Sequence, residues 1–318
     1  MRHSTVSWFR IGQERRARRI SKALESRKSG PVAILDGDEA ASTPVEASEL
    51  GKVARLHPFS PVAISILQLF ERDQVSTQEI AKLLQSDPAL AAETLAYVNS
   101  PLFAVPDTIT DLHRAILVLG ADNTKRLTAT LAMRGMLRSA PKIAVTRRLW
   151  RHSLATALIA SELAPLYRLA PDLANTAGVL HDIGRVGLLA KDGEKYAQIV
   201  LKLHDDVDAI LAAERESCGM DHCAAGSYLC GVWALPAVFQ EAVSRHHTAK
   251  GDAAIPGLIH VACALADDMT FAAISHRGVM SVPERIAERV PEKLRESVLA
   301  LGHDFEERIA KKVEQFDF

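Results

Sequence analysis

GVLHDIGRVGLL, residues 178–189, places an adjacent His181 and Asp182 between two aliphatic runs. The flanks have the composition of a core-facing helix, so an imidazole and a carboxylate stand where the pattern predicts further apolar side chains. A buried carboxylate is costly unless a cation or hydrogen bonds compensate it. The pair therefore requires partners from elsewhere in the chain, and a fold that brings them to one interior.

Outward from this stretch the periodicity is helical. Aromatic residues are only 5% of the 318, Ala and Leu recur at three- and four-residue spacing, and strand-like alternation is scarce, so the expected fold is an all-α multi-helix bundle. A hydrophobic content of 48% supports a substantial core. With 38 basic and 39 acidic residues, the formal charge of -1 argues against a surface that binds nucleic acid throughout. No stretch approaches the roughly 18 apolar residues of a membrane span. The start, MRHSTVSWFRIGQERRARR, lacks the apolar middle of a secretory signal, so a cytoplasmic location is expected. Cys218, Cys223, Cys230 and Cys263 form no CxxC pair, which argues against a disulfide framework or a zinc ribbon; Cys223 and Cys230 read as small buried hydrophobes.

Residues 1–50 read as a basic arm and linker. Arg10, Arg15, Arg16, Arg18, Arg19, Lys22, Arg27 and Lys28 crowd residues 10–28, and residues 29–50 turn small, polar and partly acidic. The arm has few apolar residues to anchor it and reads as a solvated, partly helical tail; contact with nucleic acid is expected only through it. Residues 51–318 read as one domain: a smaller N-terminal helical half over 51–140, a second half over 141–276 and C-terminal helices over 277–318. Ser76 with Glu79, Asp87-Pro88, Ser281 with Glu284 and Asp304 with Glu307 mark helix starts. Gly120 marks a helix end, and Asp122 opens the next helix, so residues 51–140 hold about five short helices.

Six of the twelve histidines fall on second-half helices whose remaining stripe is apolar. His152 shares a face with Ala155, Thr156 and Ile159, His222 with Ala225, Gly226 and Leu229, and His246 closes a stripe of Leu235, Phe239, Ala242 and Val243. Asp267 falls on the face of His260, Cys263 and Ala264, which aims a second carboxylate inward. One buried His is usually satisfied by a carbonyl or hydroxyl. For His152, His181, Asp182, His222, His246, His247 and Asp267 together that reading needs many coincidences, and a shared metal site is expected. His260 is its weakest candidate, and His3, His57, His113, His204, His276 and His303 are left out. Imidazoles with carboxylates suit one or two divalent ions such as manganese, iron, zinc or magnesium, and no soft thiolate site is expected. Asp182 is placed to bridge two ions, and Arg185, within one turn, to hold a phosphate or pair with a carboxylate.

On these residues the second half resembles the HD superfamily of metal-dependent phosphohydrolases, whose order of His, His-Asp and distant Asp is matched by His152, His181-Asp182 and Asp267. Residues 51–318 together resemble an HDOD domain through HPFSPVAISILQLF, SDPALAAETLAYVNSPLF, the helix ending at Gly120, HDIGR, DHCAAGSYLCGVWALP and the closing HH. The resemblance to HD-GYP phosphodiesterases is more distant. They use extra histidines at the positions of His222, His246 and His247, but HDIGK is HDIGR here, the GYP loop is missing, and Arg148 stands where some members place a glutamate. These departures count against a third ion and against cyclic di-GMP recognition.

The resemblance implies a bacterial signal-transduction module with a divalent-metal site in its HD-like half, acting by binding a protein partner or a nucleotide. The alternative it implies is an active phosphohydrolase on a nucleotide or cyclic dinucleotide, with Asp182 and Arg185 as the catalytic residues. Turnover itself stays open on the residues alone. Aliphatic richness on many helices suggests a homodimer surface.

Overall fold

Capping side chains and prolines set where the helices start. In a computed structural model describing residues 59–316 apart from 102, 104, 140–143, 203–206, 251–253, 272–289 and 302–303, Ser60 caps α1 (Pro61–Leu67). Ser76 accepts from the Glu79 N–H ahead of α2 (Thr77–Leu84), and Asp87 accepts from Ala89 and Leu90 ahead of α3 (Pro88–Val98). Asp111 opens α4 (Leu112–Leu119), and Gly120 closes it at a φ of 80°, a left-handed conformation that favours glycine. The next helix, α5 (Ala121–Ser139), starts one residue before Asp122 and is long, because no capping or breaking residue interrupts it. The basic arm at 10–28, the linker at 29–50 and the Ser281–Glu284 start lie outside the described residues.

The second half continues with α6 (Ala144–Leu163), α7 (Pro171–Leu180), α8 (Ile183–Lys191), α9 (Gly193–Lys202) and α10 (Val207–Cys218). Then come α11 (His222–Val232), α12 (Ala237–Arg245) and α13 (Ile255–Ala266), which runs into a wide π turn over Asp267–Phe271. Two further helices, α14 (Arg295–Leu299) and α15 (Phe305–Phe316), close the order. The fold is all-α: every regular element among the described residues is helical. None of these helices is long and apolar enough to cross a membrane.

Helix α7 is the hub. It packs on α5, α6, α12 and α13, and one core runs from Phe59 to Val313. Close contact with α6 depends on Gly178, where a Cβ would lie 2.5 Å from Ala157 Cα, and the buried Asn175 amide ties the same pair by donating to the Ala157 carbonyl. The HDIG stretch lies at a break between helices and not inside one. His181 ends α7, and Asp182, at φ -100° and ψ 19°, precedes α8 without capping it. Helix α8 then crosses α11 at Gly184, where any side chain would run into the His222 carbonyl and the Gly226 N–H.

Two glycine substitutions should therefore have opposite signs. Gly184→Ala is expected to destabilise the protein by about 1–3 kcal/mol by forcing α8 off α11. Gly135→Ala, in exposed mid-helix of α5 with nothing within 4 Å of the added carbon, is expected to stabilise it by about 0.5–1 kcal/mol. Urea unfolding of both variants checks the pair, and equal effects would contradict the tight crossing.

Candidate metal centre

Four elements deliver imidazoles to one buried point: α6 brings His152, the α7–α8 break brings His181, α11 opens with His222, and His246 and His247 follow α12. His152, His181, His222, His246 and Asp182 are all buried. The Asp182 carboxylate stands between two groups of rings. Its Oδ2 lies 3.7 Å from His152 Nε2 and 3.6 Å from His181 Nε2. Its Oδ1 lies 3.5 Å from His222 Nε2 and 3.6 Å from His246 Nε2. Each carboxylate oxygen thus faces its own pair of histidines.

The outward ring nitrogens are already engaged. Nδ1 of His152 donates to the Phe271 carbonyl at 3.0 Å, that of His181 to Gly178 at 2.7 Å, and that of His246 to Val243 at 2.9 Å. His222 Nδ1 donates to Glu214 at 2.6 Å. Such bonds fix the tautomer and turn the Nε2 lone pair inward, which is how metal-ligating histidines are usually oriented. The inward nitrogens then crowd one another: His152 and His181 meet at 3.2 Å and His222 and His247 at 3.0 Å, Nε2 to Nε2. Asp182 Oδ1 and His246 Nε2 are buried with no hydrogen-bond partner. Facing lone pairs at hydrogen-bond distance require a shared cation, either a proton or a metal ion.

The electrostatics follow the same pairing. Burial and then the Arg185 guanidinium oppose charge on His222, but Glu214 and Cys223 together outweigh them, and the imidazole is pushed up to about 10. Burial likewise opposes charge on His152, and Asp267 and Cys263 together override it, raising this group well above the usual histidine range. Burial holds His181 and His247 well below that range and lowers His246. Each close nitrogen pair therefore joins a histidine that favours its proton to one that refuses it. Asp182 is held well below the usual carboxylate range: burial would raise it, and Arg185 and then His181 outweigh the burial.

Asp267 does not reach this point. Its carboxylate is 37% exposed and lies 3.2 Å from His152 Nδ1, on the outer side of the ring, so the inward aim expected for it is corrected to an orienting contact. The reason is that α13 ends at Ala266 and the chain widens into the π turn, so the helical phase no longer holds. The buried thiol of Cys263, one turn earlier, takes the inner place, 3.5 Å from His152 Nε2. Cys223 also has its sulfur within 4.8 Å of the ligand nitrogens of His222, His246 and His247. The expectation that no thiol stands among the candidate ligands is thereby corrected. His260 donates to the His246 carbonyl at 2.7 Å.

Arg185 is not placed to hold a substrate. It is buried, with Nε 2.9 Å from Asp182 and Nη1 3.2 Å from Glu214 and 3.3 Å from the Tyr196 hydroxyl. Of the two roles open to it, the structure supports carboxylate pairing, which corrects its place among the catalytic residues. Glu214 is the residue that the sequence reading missed. Fully buried on α10, it accepts from the His222 N–H, the His222 ring, Tyr196 and Arg185. Burial would raise it, yet His222 and then Arg185 pull it down to about 2. Its signal was available: Glu214 interrupts the buried stripe of Ile210, Leu211 and Cys218.

Arg185→Met is accordingly expected to cost on the order of 3 kcal/mol, because it leaves two buried carboxylates without their common cation. Urea unfolding checks it. A variant as stable as the parent would restore Arg185 as a side chain free to meet a phosphate.

Comparison with known proteins bears on the fold. An HDOD domain described from Geobacter sulfurreducens, of unknown function, is 24% identical, with a TM-score of 0.63 over 84% of this chain and 94% of that one. A protein from Marinobacter aquaeolei VT8, provisionally named a signal transduction protein, is 17% identical, with a TM-score of 0.64 over 95% of this chain and 66% of that one. A third, from Shewanella amazonensis SB2B and provisionally named a metal-dependent phosphohydrolase, is 17% identical, with a TM-score of 0.57 over 85% and 97%. Among curated proteins no match was found. The family profile for the HDOD domain matches residues 56–249, which takes in helices α1 to α5 and every member of the cluster except Cys263 and Asp267, and the chain belongs to the HDOD domain family.

Proposed function

We propose that this protein is a cytoplasmic bacterial signalling module whose HD-like half holds one or two divalent ions and whose output is binding of a protein partner or a nucleotide. The observation that carries the metal reading is the Asp182 carboxylate, buried and set with one oxygen toward His152 and His181 and the other toward His222 and His246. A carboxylate between two imidazole groups whose outer nitrogens are engaged fits a bridging ligand for a borderline divalent ion such as zinc, manganese or iron. Such an ion supplies Lewis-acid charge to a phosphate ester where one can reach it, and a crosslink between helices where none can.

Two features favour the regulatory reading over turnover. Apart from the half-buried His247, the residues that would hold the ion are buried, and the guanidinium that a phosphate would need is engaged by Asp182 and Glu214. Hydrolysis remains the second reading because a carboxylate placed between two ion sites is also the layout of two-metal phosphoesterases. On the first reading His152, His181, Asp182, His222, His246 and His247 tie α6, α7, α11 and α12 together, and Glu214 and Arg185 position Asp182 and His222.

The test is elemental analysis of protein purified without chelators, beside Asp182→Ala, followed by phosphate release from a nucleotide panel with added manganese. Near-stoichiometric metal in the parent, its loss in the variant and no phosphate release are expected. Manganese-dependent release abolished by Asp182→Ala would replace the regulatory reading with the hydrolytic one. Metal absent from both proteins after manganese, iron and zinc are supplied would remove the metal reading.

A further inference from the structure

The distant carboxylate of the HD pattern is the one ligand position that this chain does not fill as the pattern implies. Asp267 stands at the outer nitrogen of His152, 37% exposed, where it can orient the ring. One turn earlier on the same face of α13, the Cys263 sulfur is buried and faces the inner nitrogen. His152, His181 and Cys263 each offer an atom within 4.8 Å of the other two. Asp182 Oδ2 stands beside these three, 3.7 Å from His152 Nε2 and 3.6 Å from His181 Nε2.

Two of the separations among these donors match those of a zinc site. Zinc bound tetrahedrally, with Zn–N of about 2.0–2.1 Å and Zn–S of about 2.3 Å, separates two nitrogens by about 3.3 Å and a nitrogen from a sulfur by about 3.6 Å. The corresponding separations here are 3.2 Å for His152 to His181 and 3.5 Å for His152 to Cys263. The oxygen sits slightly wide, at 3.7 and 3.6 Å from the two nitrogens. The buried, unpartnered Asp182 Oδ1 and His246 Nε2 beside this set independently indicate that a cation belongs in the cluster.

We infer that Cys263, and not Asp267, is a ligand of the centre at His152, His181 and Asp182, making it a nitrogen, sulfur and oxygen site selective for zinc over magnesium or manganese. The inference rests on the metal reading above. A thiolate is a soft donor, and its presence shifts preference away from the hard ions that carboxylates and water suit. Without an ion, burial pushes the thiol up to about 11, so an ion bound there has to displace its proton.

Cobalt(II) added to the chelator-treated full chain separates the inference from the reading beneath it. The parent is expected to show both visible ligand-field bands and a near-ultraviolet sulfur-to-cobalt charge-transfer band, with the latter weakened or lost in Cys263→Ser. Ligand-field bands without charge transfer would overturn the assignment of Cys263 and leave the metal centre standing. Charge transfer kept in Cys263→Ser and lost in Cys223→Ser would assign the sulfur to the other histidine group and overturn the inference. No cobalt bands at all would overturn the metal reading itself. X-ray absorption on the zinc-loaded parent covers the case in which Cys263→Ser fails to fold: a sulfur shell near about 2.3 Å supports the inference, and its absence refutes it.

Discussion

One buried carboxylate organises this molecule. Asp182 is removed from water at a helix break, and everything placed around it is a response to its charge. Arg185 meets one side at 2.9 Å, four imidazoles surround the rest, and Glu214 holds both Arg185 and His222 from behind. Charges buried without partners cost several kcal/mol each, so the surrounding layer has to be complete before the inner one is tolerable. That order explains why Glu214 and Tyr196 are as deeply buried as the histidines although neither faces the centre.

The packing serves the same end. A carboxylate can face four rings only if the helices carrying them approach closely, and the approach is made at glycines. Gly178 seats α7 against α6, the pair that carries His181 and His152. Gly184 and Gly226 seat α8 against α11, which brings Asp182 to His222. The outer ring nitrogens then lock each imidazole to a backbone carbonyl or to Glu214, so the inward nitrogens are held by the fold and not by one another.

Much of this was legible in the sequence because helical phase is reliable over two or three turns. It turned His152, His222 and His246 inward correctly, and the HD pair stood out against its aliphatic flanks. Phase failed at Asp267 because it was carried past Ala266 into a turn wound differently, and there it chose the carboxylate over the thiol one turn back. Glu214 was missed for another reason. A glutamate beside Arg215 and Glu216 reads as part of a solvated face, and only its position among Ile210, Leu211 and Cys218 gives it away. Arg185 could not be settled locally at all, since its second partner lies 29 residues away.

The centre is also connected through helix packing to the N-terminal half. His181 is the C-cap residue of α7, and α7 packs directly on α5. The interface is part of the one buried core, and close-packed interiors pass on displacements instead of absorbing them. A cation held between His181 and His152 would meet this chain of contacts at the end of α7, which packs on α5, as α5 in turn packs on α1. Replacing that cation by protons leaves the imidazole pairs closed by a bond that only one ring of each pair favours. A cation and a proton can differ in their effect on the fold only through the difference between these two closures, because a ligand held equally well by two states shifts neither.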